Sequence, residues 1–566
     1  MMTKSKPNLH TVWKGCFLIL LIFSAFIGIF LAYYSTFFSY YYATDGSPLY
    51  MIGDSWKMNL LVFAGAIVLT ILAEYILRKI PRHQEQVSLC FLVVCCVLFF
   101  IAGCFWTIQL PYYPEGDQLN TTAAAKYFLE GNYSMLQKGG YIGIYPQQKG
   151  LVFLYEILFI LFGPYCYNVV EKLHVFSGVI VMIFGFLFLK NASDRCIYRF
   201  IYCLCVLFCS PYMILMPYAY GDIPSICFCV VMFWALQRYG LTMQKRYLIV
   251  VGVMAVMALF TRQNSWIVLI AVAIGFCLLA LEKRNVRPII AGACIIIVAA
   301  LSVKLLSISY EIRSGYEDTI GTPASLYFAM GMQESETGPG TYNRFNQGTY
   351  ESVDFDRNAA SELGWIEVKN RLQAFSENPQ SAVTFFKTKV QLQWLEPLFD
   401  TLRLTKSFSE EEPLPDWINE IYYGKYHDKL FGFANGYQSI VYLAFLGHVL
   451  FLFKEIWHRN KRNRTTGVSS PQCTQDTLQG IPNSTQCASN SMQLVPLISL
   501  IGGFLFSIIW EAQCRYVLPY YMFMLVYVPS GLCNVCDLIK RLVEKIFFSQ
   551  KKTQAPHSPQ NESSAA

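Results

Sequence analysis

Four short runs of this 566-residue chain place ionisable side chains at the edges of apolar segments, where a lipid-facing sequence has little use for them. The first is Glu115-Gly116-Asp117-Gln118, in a Tyr- and Gly-rich stretch just after an apolar run. Its acid is the group on which chemistry would rest, and the tyrosines around it (Tyr112, Tyr113, Tyr141, Tyr145) suit packing against a sugar or a lipid headgroup. A solvated loop charge, or a cap for the helix that residues 121–130 begin, are the structural alternatives. The second run is Tyr218-Ala219-Tyr220-Gly221-Asp222-Ile223-Pro224. A helix end broken by Gly and Pro is tolerated at membrane depth where it lines a polar cavity; capping of a 223–238 helix explains the same acid. The third, Thr261-Arg262-Gln263-Asn264, offers an arginine that either clamps a phosphate in a fork or snorkels to lipid headgroups. In the fourth, Trp510-Glu511-Ala512-Gln513-Cys514-Arg515-Tyr516, Glu511 and Arg515 are four apart and would pair on one helix face.

The elements that must position these residues follow from composition. Hydrophobic residues make up 54% of the chain and charged ones only 14%, which exceeds what a soluble core requires. The reading is an all-α polytopic membrane protein with about 12 to 13 transmembrane segments and an outer-face region of loops and helices. Residues 1–86 form an N-terminal transmembrane pair, and 87–308 a transmembrane module carrying the loop 111–150. Residues 309–429 form an extracytoplasmic region, 430–548 the C-terminal helices with a cytoplasmic loop at 455–492, and 549–566 a disordered tail. Several segments, such as 151–163, 223–238, 247–261 and 266–281, are short for a crossing, which takes about 20 residues.

The net charge of +7 matters through its distribution. Basic runs at 78–82, 190–199, 238–246, 283–287 and 454–464 fall in loops that the positive-inside rule places in the cytoplasm, so nucleic acid is not needed to explain them. With those loops inside, Asp117, Asp222, Arg262, Glu511 and Arg515 all fall outside. This bookkeeping requires 151–163 to be a half-span or re-entrant helix with no net crossing. The first apolar run, behind Lys4, Lys6 and Lys14 and lacking a small-residue cleavage site, reads as a retained helix. Most of the 19 cysteines are scattered singly through apolar runs and read as small buried hydrophobes. No phosphate-binding glycine loop and no H-E-x-x-H motif is present, which argues against an ATP-driven machine.

The order of these pieces resembles the GT-C superfamily of membrane glycosyltransferases, the group of protein mannosyltransferases and the lipid A aminoarabinose transferase. The likeness runs from about residue 87 to 536. It is carried by Asp117 in the first loop, Tyr145-Pro146-Gln147-Gln148-Lys149-Gly150 opening the next helix, Asp222, and Arg262. Tyr327-Phe-Ala-Met-Gly-Met-Gln333, Phe385-Phe-Lys387-Thr-Lys389, Gln393-Trp394-Leu-Glu396-Pro397 and 510–520 resemble a branch of these enzymes in low-GC Gram-positive bacteria.

The resemblance implies transfer of a sugar from a polyprenyl-phosphate donor to a cell-wall glycopolymer or protein on the outer face of the cell membrane. Asp117 and Asp222 would then be catalytic, Asp117 as general base. Glu115, Tyr145, Lys149, Arg262, Glu511 and Arg515 would bind substrate. Where the family has two adjacent acids this chain has Asp117-Gln118, so a second carboxylate must come from Glu115 or Asp222. No metal ligand is assigned, and a divalent metal cofactor is left open. A lipid-linked glycan flippase or transporter, and an O-antigen-type polymerase or ligase, are the competing functions. The flippase would keep its charges at mid-span, where Glu156 is the clearest.

Overall fold

The computed structural model describes residues 9–41, 49–317, 320–408, 413–466 and 490–553. Most of the polar tract at 465–490, most of the 549–566 tail, and Lys4 and Lys6 lie outside the described residues. Among the described residues the only sheet is a two-stranded antiparallel hairpin, Phe38–Tyr41 against Tyr50–Gly53, and the rest is helix and connection.

Among the described residues nine helices are long and apolar enough to cross a membrane, and Cys514–Met524 with Val528–Lys545, bent by 57° at their junction, makes a tenth span if counted as one. This is an all-α polytopic membrane protein. The remaining apolar segments are shorter. The expected span 200–219 is instead Cys196–Leu207 followed by the single turn Ser210–Ile214, because Pro211 and Pro217 lack the N–H groups that a continuous helix would use. Residues 247–261 lie on Arg246–Thr261 and 151–163 on Lys149–Phe162. Counting apolar residues registers buried core segments and lipid-facing ones alike, so it overstates the number of full-length spans.

The helices sort by what surrounds them. Asp222–Thr242 is 72% buried over its most apolar window and packs between Tyr167–Ala192 and Arg246–Thr261. Trp56–Arg78 and Arg287–Ser314 are 17% and 22% buried and keep apolar side chains on the outside, as lipid-facing helices do. The central helix is also the one that carries Asp222.

Lys149–Phe162, with 14 residues, is about 21 Å long against a hydrocarbon thickness near 30 Å. Both of its flanks lie at one end of the bundle: Gln148 donates to the Tyr220 hydroxyl (2.5 Å), and the Tyr167 hydroxyl meets Thr122 Oγ1 (2.9 Å). The segment therefore makes no net passage from one end of the bundle to the other. Tyr167–Ala192 then carries the chain to the opposite end, where Arg195 pairs with Glu74 (2.6 Å) and Asp537 (2.9 Å) and Arg199 pairs with Glu85 (2.8 Å). The basic runs near 78 and 190–199 therefore share one end, and Asp117, Arg262 and Glu511 share the other.

Candidate functional site

At the end of the bundle opposite those ion pairs, a cavity of about 1250 Å³ opens between the 111–150 loop, the 262–264 break, the 322–357 connection and the 510–516 break. Asp117, Tyr145, Arg262, Glu511 and Arg515 line it. Each is delivered by a helix end, because a break between helices is where the backbone can turn a polar side chain inward.

Asp117 opens the Asp117–Leu129 helix, four residues earlier than the apolar pattern suggests. The helix is capped by Gly116 at φ +56°, a conformation that glycine adopts without strain. No side-chain capping bond forms, so the capping explanation does not describe Asp117. Its exposed carboxylate instead accepts the Tyr141 O–H at 3.0 Å, with the positive end of the helix dipole behind it. Burial, reinforced by this neighbouring acid, pushes the Tyr141 hydroxyl well above the ordinary tyrosine range, so that it stays a donor.

Asp222 is buried in the first turn of its helix behind Gly221 and makes no capping bond either. It holds Arg262 Nη2 at 3.3 Å, and its other oxygen is buried without a partner. Arg262 ends an extended joint between two helices and lies over the rings of Tyr220 (4.9 Å) and Tyr516 (5.7 Å). Gly221 makes this pairing fit, since a β-carbon there would overlap the carbonyl oxygen of Thr261, the residue before Arg262. Overpacking of this kind costs about 1–3 kcal/mol. Gly221→Ala is expected to lower the melting temperature of the purified protein, and an unchanged melt would show that the two segments are not in contact.

Arg515 has no carboxylate partner. It is 3% exposed, donates to the Tyr218 hydroxyl and to Gln513 Oε1 (3.3 Å), and leaves Nε buried and unbonded. Its guanidinium lies over Tyr218 (4.9 Å), Tyr220 (5.3 Å) and Tyr516 (5.6 Å), sharing the last two rings with Arg262. Two guanidinium groups thus gather over shared aromatic faces, with one carboxylate, Asp222, between them.

The expected helix-face pair of Glu511 and Arg515 does not form. Trp510 ends one helix and Cys514 begins the next, so residues 511–513 run extended, with Ala512 N–H donating to Gly340 O at 2.7 Å and Thr341 bridged to Ala512. Extended backbone abolishes the one-turn spacing that the ion pair needs. Glu511 is 8% exposed, and burial, opposed by Arg515, lifts its carboxyl to about 7. Behind it Lys389 is fully buried, donates to Gly331 O, and is pushed down by burial to about 7.

Three of the expected site residues do not line this cavity: Asp222, expected to be catalytic, is buried behind it in its pair with Arg262, and two others fall elsewhere. Lys149 is buried against a neighbouring cavity of about 310 Å³, which shares Gln147 and Gln263 with the larger one. It does not line the cavity that holds Arg262. Glu115 is exposed and lines neither, because the Glu115 O to Gln118 N–H turn (3.2 Å) that starts the helix leaves its side chain on the outside.

The cavity also contains residues that the sequence reading did not single out. Asp400, at φ +62° after Phe399 at φ +51°, grips Arg403 and lines the wall with it. Two consecutive left-handed non-glycine residues are the kind of strain that clusters at functional sites; the one sequence signal was an acid four residues after Glu396. Among the described residues no group of three or more His, Cys, Asp or Glu side chains could hold a metal ion. Glu115 is exposed outside the cavity lining and Asp222 is engaged by Arg262, so neither is presented beside Asp117 in the cavity as the second carboxylate of a metal pair.

A scan of the chain against protein-family models found no match, and a search of curated proteins found none either.

Proposed function

We propose that this protein is a membrane glycosyltransferase that moves a sugar from a polyprenyl-phosphate donor to a cell-envelope acceptor at the outer face of the cell membrane. The observation that carries the reading is Arg515: a buried guanidinium, without a carboxylate partner, beside a second arginine, in the same cavity as an exposed aspartate. A buried cation without a counter-ion is costly, which an incoming anion would relieve, and a fork of N–H donors is the natural mate of a phosphate. Energy for transfer resides in the sugar-phosphate bond, so no nucleotide fold is required.

The roles follow from placement. Arg515 and Arg262 hold the donor phosphate and stabilise the charge it gains as it leaves. Asp117, exposed in the cavity lining, takes the proton from the acceptor hydroxyl as that oxygen attacks the anomeric carbon. Tyr141 orients Asp117 through its O–H. A volume near 1250 Å³ accommodates a sugar, its phosphate and part of an acceptor together.

The transporter reading loses its main support, since buried Glu156 is held bidentately by Arg313 (2.9 Å on both oxygens) and by the Tyr310 hydroxyl (3.1 Å). Incubating purified protein with radiolabelled polyprenyl-phosphate hexoses and membrane acceptors tests transfer directly. Absence of labelled product with every donor and acceptor pair would defeat the proposal; product only from diphosphate-linked glycans would favour a polymerase or ligase.

The side of the membrane has its own test. In a cysteine-depleted background, Arg344→Cys, in an exposed part of the cavity region, is expected to react with an impermeant maleimide added outside intact cells. Gln475→Cys, in the basic-flanked loop, is expected to stay unlabelled. The reverse pattern would put the cavity on the cytoplasmic side.

A further inference from the structure

The Glu511 carboxyl is a buried acid with neither a hydrogen bond nor an ion pair, and it lines the cavity that holds Arg515. At 8% exposure it has lost most of its hydration, and what surface it keeps faces the cavity, where a ligand can supply the missing hydrogen bonds. Its position is set by backbone: the Ala512–Gly340 hydrogen bond and the Thr341 bridge fix the extended 511–513 segment. The loop carrying Gly340 is in turn anchored through Gly331 by Lys389.

The groups facing Glu511 come from every surrounding element. Asp117 faces it from the first loop, Arg262 from the interhelical joint, Lys389 from the helix Pro379–Trp394, and Arg515 from its own break. Tyr145, Tyr327, Tyr342 and Tyr516 complete the surround. Two arginines draw the carboxyl toward ionisation while burial and Asp117 oppose it, and burial is the largest influence. An incoming phosphate tips the balance further, because a second anion beside a carboxylate disfavours its charged form.

Building on the proposed transfer reaction, we propose that Glu511 serves as the proton donor to the leaving phosphate: it meets the donor as a neutral carboxylic acid, hydrogen-bonds the phosphate held by Arg515, and protonates it as the sugar departs. In this step the bond from the anomeric carbon to the phosphate oxygen breaks with its electron pair going to that oxygen. The acceptor oxygen forms the new bond to the same carbon. The acceptor proton passes to Asp117 and the Glu511 proton passes to the phosphate, leaving a singly charged lipid monophosphate. Water returns a proton to Glu511 and removes one from Asp117 before the next cycle, so no co-reactant is consumed. The two carboxyls divide the work by environment, the exposed one ionised as base and the buried one neutral as acid.

The test uses a farnesyl-phosphoryl hexose, a diester that does not itself titrate near neutrality, and the full-length protein. Without acceptor, calorimetry in buffers of different ionisation enthalpy reads protons taken up on binding. Wild type is expected to take up protons between about pH 7 and 8, where a carboxyl with a raised pKa is part ionised. Glu511→Gln is expected to bind within threefold, since its amide still donates, and to take up none. With acceptor present, Glu511→Gln is expected to turn over on the order of 10²-fold more slowly. It should also lose the fall in rate that wild type shows as pH rises past neutrality, while Glu511→Asp keeps that fall. Proton uptake by Glu511→Gln equal to wild type, or its turnover at the wild-type rate, would overturn the assignment. Failure of the probe to bind wild type, or equal binding by Arg515→Ala, would overturn the anion site itself and the transfer reading with it.

Discussion

Asp117→Asn is expected to leave the protein folded and its donor bound while slowing transfer by on the order of 10²- to 10⁴-fold, the contribution of a positioned base. The substitution removes one negative charge and little else. Asparagine has the same shape, its carbonyl oxygen can accept the Tyr141 O–H that the carboxylate accepts at 3.0 Å, and the exposed position tolerates an amide. No capping bond is lost, because the aspartate makes none. A large fall in single-turnover rate at unchanged donor affinity therefore reports on proton transfer. Near-normal transfer by this variant would remove Asp117 from the chemistry and direct attention to Glu336, Asp400 or Glu511, the other carboxylates in the cavity wall.

Arg515→Ala is expected to weaken donor binding by about 10- to 100-fold, from the loss of one charge-assisted contact at about 1.5–3 kcal/mol. Among the cavity arginines this one gives the cleaner measurement. Removing Arg262 strands Asp222, whose second oxygen already lacks a partner, and an uncompensated buried charge costs about 3–5 kcal/mol of stability. Removing Arg515 strands no carboxylate. Its loss of stability is expected to be the smaller of the two, readable as a smaller drop in melting temperature. Arg515→Lys keeps the charge without the fork and is expected to fall between alanine and wild type in affinity. Equal donor affinity in wild type and Arg515→Ala would make this arginine a structural partner of Tyr218 and its neighbours.

Much of the architecture was legible in the amino-acid order because the bilayer imposes a length and a polarity on every crossing helix. Apolar runs of 20 or more residues, such as those within 9–37 and 287–314, became helices with bounds close to those expected. The short run at 151–163 was recognisable as lacking a net crossing from the charge signs of the loops around it. The run at 200–219 was harder, since apolar composition does not record whether a segment meets lipid or other helices, and this one is buried.

Sequence alone marked Asp117, Tyr145, Arg262, Glu511 and Arg515 as polar groups at the ends of apolar runs, and those ends are where helices stop. Which ends meet was decided by the fold. Arg262 and Asp222 are brought together by backbone approach at Gly221, Lys149 is turned into a neighbouring cavity, and Asp400 joins the wall from a loop far along the chain. The state of Glu511 likewise depends on tertiary contacts: the spacing of Glu511 and Arg515 predicts a helical pair, and the bridge to Gly340 and Thr341 draws the segment straight instead. Helix-forming patterns act over a few neighbouring residues, whereas hydrogen bonds between distant segments, and the loss of water they bring, arise only once the chain has closed on itself.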